Sequence, residues 1–177
     1  MKRILTLFAV VLAMVTTTNL QAQEFPGLDK SPMDIALYPG REPGKVVRVI
    51  YSRPQLKGRA LADLAPAGKV WRTGANENTE ITFYQDVNFG GKDISAGTYS
   101  LFTIPGERTW TVILNKNLNQ WGAYTYDEAA DVARIEVPAA SDANSLEPFS
   151  IAFKEAEDGV HMVMGWDKTR VAVPITM

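Results

Sequence analysis

The sequence predicts an all-β protein: a single antiparallel β-sandwich, jelly-roll or immunoglobulin-like, with at most one or two short helical turns. Three observations carry that expectation. Runs of β-branched and aromatic residues recur at short spacing, punctuated by Gly, Pro, Asn and Asp. Only two stretches suggest a helix, and both are too short to hold one without tertiary packing. Once an N-terminal leader is set aside, about 155 residues remain, enough for one hydrophobic core.

The leader is residues 1–22. A basic start (Met1-Lys2-Arg3) precedes an apolar run over 4–15 and a polar stretch that ends at a small residue, Ala22. That is the layout of a secretory signal peptide cut after Ala22. Its apolar run falls short of the roughly 20 residues of a membrane helix. Residues 23–30 read as a loose lead and 31–177 as the domain.

Along the domain, 46–51 (VVRVIY) is β-branched and apolar on both faces. In 79–85 (TEITFYQ), Ile81 and Phe83 share one face, with Glu80, Thr82 and Tyr84 on the other. Gly90-Gly91 inside 89–94 is a hairpin turn, since both positions tolerate positive φ. The run 96–104 is apolar on both faces and reads as central. Pro105-Gly106 turns it into 109–115, a second hairpin. Next come a strand over 132–137, a polar loop over 139–147, and a meander of 149–153, 160–166 and 169–175, with turns at Glu157-Asp158-Gly159 and Asp167-Lys168. The helical candidates are 59–65 and 126–134, the second with Asp127 as N-cap. Phe83, Leu101, Trp110, Ile151 and Phe153 are the expected core.

Several chemistries are excluded or disfavoured. Without Cys there is no disulfide framework, lipid-anchoring cysteine, thiol nucleophile or Cys-ligated metal. Of 18 basic residues two lie in the leader, so against 20 acidic ones the mature chain carries a net charge of about −4. That balance gives no reason to expect nucleic acid or an anionic membrane as partner. The single histidine, His161, lies mid-strand, a poor place for a catalytic base. It points away from Met162 and Met164, so HMVM makes no soft-metal site, and the two Met are expected in the core. Asp127, Glu128 and Asp131 lack a calcium-loop pattern and read as a solvated helix face. GGKDIS lacks the spacing of a phosphate loop. Nothing in the sequence calls for a cofactor or a metal.

Two Gly-containing stretches remain. YSRPQLKGR (51–59) supplies Arg53, Lys57 and Arg59; WRTGANE (71–77) supplies Trp71, Arg72, Asn76 and Glu77. The guanidinium groups could grip a carboxylate or phosphate, and Trp71 with Tyr51 could give a stacking wall for a sugar. Equally, Arg72 could pair with Glu77 or Glu80, Asn76 could cap a turn, and Arg53 could bond loop carbonyls, because buried backbone groups need partners.

These same segments carry a family resemblance. SP (31–32), YSRPQLKGR, VWRTGANENTEITF, GGKDISAGTYSLFTIPGERTWTVILNK and WGAYTYDEAADVARIEV follow in order the pattern of an exported bacterial family, domain of unknown function 2911. The resemblance runs from about Ser31 to the C-terminus. It implies a signal-peptide-bearing β-sandwich and no established activity.

The functional expectation is therefore an exported cell-envelope domain, periplasmic rather than extracellular. It would bind a small anionic or carbohydrate ligand, or an envelope protein, through Arg53, Lys57, Arg59, Trp71, Arg72, Asn76 and Glu77. The alternative is a glycan-acting hydrolase or lyase using Glu77 or Glu80 with Arg72.

Overall fold

A computed structural model describes residues 24–177; the signal peptide expected over 1–22 lies outside them. The all-β class is as the sequence predicts. Among the described residues nine strands, β1 (Met33–Tyr38), β2 (Val47–Ser52), β3 (Thr79–Phe83), β4 (Val87–Phe89), β5 (Lys92–Ile94), β6 (Gly97–Ile104), β7 (Thr109–Asn115), β8 (Asp131–Ala156) and β9 (Gly159–Thr176), pair antiparallel in the order β1-β2-β3-β6-β7-β8-β9-β4-β5.

The first part of the sheet follows from alternation. In β2 (Val47–Ser52), Val47, Val49 and Tyr51 are buried, and in β3 (Thr79–Phe83) so are Ile81 and Phe83. Their neighbours Ile50, Glu80 and Thr82 point to the outer face and are half-buried. β6 (Gly97–Ile104) and β7 (Thr109–Asn115) form the hairpin expected across Pro105-Gly106. Both of its faces are covered. Leu101, Val112 and Leu114 enter the main core, while Phe102 and Ile113 are buried on the outer face. The Tyr126 ring meets Phe102 edge-on at 5.1 Å, so the segment over 116–130 roofs that side.

β4 (Val87–Phe89) and β5 (Lys92–Ile94) form the predicted Gly90-Gly91 hairpin, with φ of 59° and 87°. Gly90 is required twice over, since a Cβ there would lie 2.6 Å from Ile135 Cγ2. The helical segments shrink to α1 (Leu61–Leu64) and a 3-10 turn over Glu128–Ala130, which Asp127 caps by accepting from Ala129 N.

Three expectations are corrected. β1 (Met33–Tyr38), an edge strand along β2, is an element the sequence reading lacked. The loop expected over 139–147 is instead part of β8 (Asp131–Ala156), 26 residues long, whose register against its partner shifts between Ser141 and Leu146 and again before Ser150. The shifts absorb the polar residues without ending the strand. The Asp167-Lys168 turn is likewise internal to β9 (Gly159–Thr176), with Asp167 at φ 47°. There is thus no terminal meander: 169–171 pairs with 139–141, and Ile175 and Thr176 pair with β4.

β8 carries the architecture. Its first third pairs with β7 and its remainder with β9, so β8 links two groups of strands end to end. The strand pairings fall into two groups joined only along β8: β1-β2-β3-β6-β7 with its first third, and β9-β4-β5 with its remainder. Both groups line one shared apolar core. Trp71 stacks on Trp166 at 5.5 Å and 17°, and meets Phe149 edge-on at 5.0 Å and Trp110 at 6.2 Å. Such rings bring the largest share of core burial, about 1.5–3 kcal/mol per fully buried large side chain. Phe83, Leu101, Trp110 and Ile151 are in this core as expected, and Phe153 packs at its margin. Beyond β2 the chain is tied across to β8 by Leu56 N donating to Glu147 O (3.1 Å) and Phe149 N to Pro54 O (2.8 Å).

Candidate functional site

The segment WRTGANE is tightly bonded. Trp71 exchanges backbone hydrogen bonds with Thr103 at 2.7 and 2.9 Å, and its indole Nε1 donates to Gly74 O at 3.1 Å. Thr73 and Asn76 take left-handed φ of 54° and 60°. Thr79 Oγ1 donates to Thr73 O at 2.7 Å, which closes the turn into β3. Gly74 sits where a Cβ would press Thr79 Oγ1 and Ser52 O at 3.0 and 3.1 Å. Trp71 is thus a core residue, and so is Tyr51, whose hydroxyl accepts from Ile151 N (3.0 Å) and donates to Ile151 O (3.3 Å). Neither ring offers the solvent-facing wall that the sequence suggested.

Arg53 is fully engaged. Its Nε donates to Phe149 O (3.0 Å), one terminal nitrogen pairs with Asp34 Oδ2 (2.9 Å) and the other donates to Ser150 Oγ (2.7 Å). It clamps β1 and β2 to β8. Arg72 does not pair with Glu77 or Glu80. Its Nη1 lies beside Gly122, and its Nε is buried without a hydrogen-bond partner. The four basic residues therefore do not converge.

Lys57 and Arg59 do share a concavity of about 370 Å³, together with Lys30, Ser31 and Gln55. Arg59 donates from Nε to Leu56 O (3.0 Å) and from one terminal nitrogen to Gln55 O (2.8 Å), which fixes its stem along the turn. Lys57 takes φ 48° and its backbone N–H donates to Glu147 Oε1 at 2.6 Å.

Asn76 and Glu77 face a different opening. A groove runs over the outer face of β1–β3, in two lobes of about 170 and 280 Å³ that share Met33, Ser52 and Glu77. Glu80 and Asn119 lie in the smaller lobe. Asp29, Ser31, Asn76 and Trp121 line the larger. Trp121 is 62% exposed, and Met33 is 59% exposed.

The WRTGANENTE segment is what holds Trp121 there. Gly122 N donates to Asn76 O (3.0 Å), Asn78 N to Gln120 O (3.0 Å) and Gln120 N to Asn78 Oδ1 (2.9 Å), and Glu77 pairs with Trp121 as an isolated β-bridge. The loop behind it is anchored by Asp131, only 7% exposed, which accepts from Asn115 (2.7 Å), Tyr126 (2.6 Å) and Arg134 (2.8 Å). Desolvation first, then the hydrogen bond to Asp131, pushes the Tyr126 hydroxyl far above its ordinary range. Asp131 is therefore an internal anchor, not part of the solvated face expected from the sequence. At the groove's other wall the backbone N–H of Ser31 (2.7 Å), followed by the Asn76 side chain, lowers the Asp29 pKa.

Met162 and Met164 are buried, and His161 lies half-buried on the opposite face of β9. Among the described residues there is no cluster of three or more His, Asp or Glu placed to hold a metal, and no helix is long and apolar enough to cross a membrane. Trp121, Met33, Asp29 and Asn119 are groove residues that sequence reasoning missed. The available signal was an aromatic set in NQWGAYTY, a stretch of amides and Gly with no strand period to bury it.

Sheet and groove together define an all-β domain with a preformed polar groove and one large exposed ring. The chain belongs to the family described as protein of unknown function (DUF2911), which it matches over residues 31–175. Searches of curated proteins and of solved structures each found no match.

Proposed function

We propose that this protein is an exported cell-envelope domain that binds a saccharide in the Trp121 groove without transforming it. One observation carries the reading: a tryptophan held by backbone bonds, yet 62% exposed, beside carboxylate, amide and hydroxyl groups in an open concavity. An aromatic face covers the C–H face of a sugar ring while Asn76, Glu77, Asp29 and Ser31 can take its hydroxyls. Ordering is already done in the free protein, so little conformational entropy opposes binding. The leader over 1–22 supports export to the periplasm.

The test is calorimetric titration of the purified mature chain with a panel of neutral oligosaccharides, beside Trp121→Ala. Binding should weaken about tenfold or more in the variant, with its melting temperature within about 2 °C of wild type, since an exposed ring contributes little to the core. Equal affinity in Trp121→Ala, or no binding by the wild type to any member, refutes the reading.

Glu77 and Glu80 both line the smaller lobe, which keeps hydrolysis as the second reading. Glu80 Oε1 accepts from Asn119 N at 3.1 Å, and Arg72, the expected third member, lines neither lobe. Release of new reducing ends that Glu77→Gln abolishes would establish the enzyme in place of the binding domain.

A further inference from the structure

The groove and the basic concavity are neighbours. Ser31 lines both, and the consecutive residues Asp29 and Lys30 fall on opposite sides of it. Their charges are opposite. Asp29, Glu77 and Glu80 put carboxylates along the groove, whereas the residues lining the second concavity are Lys30, Lys57, Arg59, Gln55 and Ser31, with no acid among them. Two carboxylates bond backbone N–H groups of its lining residues: Glu147 accepts from Lys57, and Asp29, on the groove side, from Ser31. An anionic sugar unit is disfavoured beside the groove carboxylates and favoured next door; a neutral unit has the reverse preference through Trp121.

We infer that the two concavities are successive subsites for a saccharide of mixed character, an uncharged unit on Trp121 and an anionic group on the adjoining unit held by Lys30, Lys57 and Arg59. This rests on the saccharide reading of the groove and adds ligand class and direction. The chain binds one way round, because reversing it would bring the anion against Asp29 and Glu77. Arg59 contributes a guanidinium already oriented by two carbonyls, and the lysines contribute mobile point charges. A carboxylate and a phosphate ester share the required chemistry.

Three probes separate the possibilities: a neutral oligosaccharide, the same carrying one terminal hexuronate, and the same carrying one terminal phosphate monoester. Each is titrated at low and high ionic strength into the wild type and into Lys30→Gln/Lys57→Gln, whose ammonium groups make no bond that the fold uses. The wild type should bind at least one anionic probe about three- to tenfold more tightly than the neutral one. The gain should fade with salt and vanish in the double variant, while neutral affinity stays within about twofold. The tighter of the two anionic probes identifies the group. If the neutral probe binds and neither anion improves on it, or the gain survives in the double variant, this inference fails and the groove reading stands. Absence of binding by all three overturns both.

Discussion

Arg53 gives the sharpest division between a residue that shapes the fold and one that meets a ligand. Its side chain holds two strands to a third: Nε on Phe149 O at 3.0 Å, one terminal nitrogen on Asp34 at 2.9 Å, the other on Ser150 Oγ at 2.7 Å. Arg53 and Asp34 side chains are 30% and 45% exposed, so the ion pair itself contributes about 0.5–1 kcal/mol. The two remaining charge-assisted bonds contribute about 1–1.5 kcal/mol each at this partial exposure. Arg53→Ala should therefore cost about 3 kcal/mol and lower the melting temperature by roughly 6–12 °C for a domain of this size. Asp34→Asn removes the ion pair alone and should cost about 1 kcal/mol or less. Arg53→Lys keeps the charge but cannot reproduce the fork, and should recover less than half of the loss. The assay is thermal unfolding followed by circular dichroism at low and high salt, with oligosaccharide affinity measured well below the transition. Affinity should be unchanged. If Arg53→Ala melts within about 2 °C of wild type, or loses binding while staying folded, the clamp is wrongly assigned.

Tyr51→Phe deprives Ile151 of both hydroxyl contacts inside the core and should destabilise by about 1–2 kcal/mol in denaturant titration, with an unchanged m-value. Gly90→Ala should cost about 2 kcal/mol or more, through positive φ and the approach to Ile135 together, while Gly91→Ala, with open space around it, should cost only about 1 kcal/mol. Comparing their melts isolates the close approach from the turn. Asp29 should titrate by NMR below its ordinary value of 3.8, and Asn76→Ala should move it upward. Because its folded value is depressed, the stability it contributes is present above pH 3.8 and is lost as the pH falls through the folded value.

Local chemistry made the central strands readable. Alternation placed Ile81 and Phe83 inward, and Gly90-Gly91 marked its hairpin. β1 escaped notice because Met33 and Ile35 point outward and remain exposed, so an edge strand with apolar residues on its solvent side gives no amphipathic signature. The unbroken courses of β8 and β9 escaped for another reason. Asp142, Asn144 and Asp167 are turn-forming types, yet cross-strand pairing tolerates them as irregularities, a tertiary decision that no local window contains. Within the site, Asn76 and Glu77 of the expected set line the groove, whereas Arg72 does not. Trp71 and Trp121 carry the same local signal, a large ring in a stretch of polar residues and Gly. Only the fold sends one to Trp166 and the other to solvent.

The order of strands also constrains how the chain can reach its native state. Hairpin β4–β5 closes over residues only three apart, but its sole remaining strand neighbour is the far end of β9, where Asn88 meets Thr176. β2 likewise waits for residues around 148 before its outgoing chain is tied. Early hairpins must therefore persist as unpaired edges until the last strand arrives, which places folding among slow, non-local β topologies and leaves those edges open to wrong partners meanwhile. A protein delivered unfolded across a membrane would meet this interval on the far side, where a chaperone that shields strand edges would raise its yield more than one that shields apolar helices.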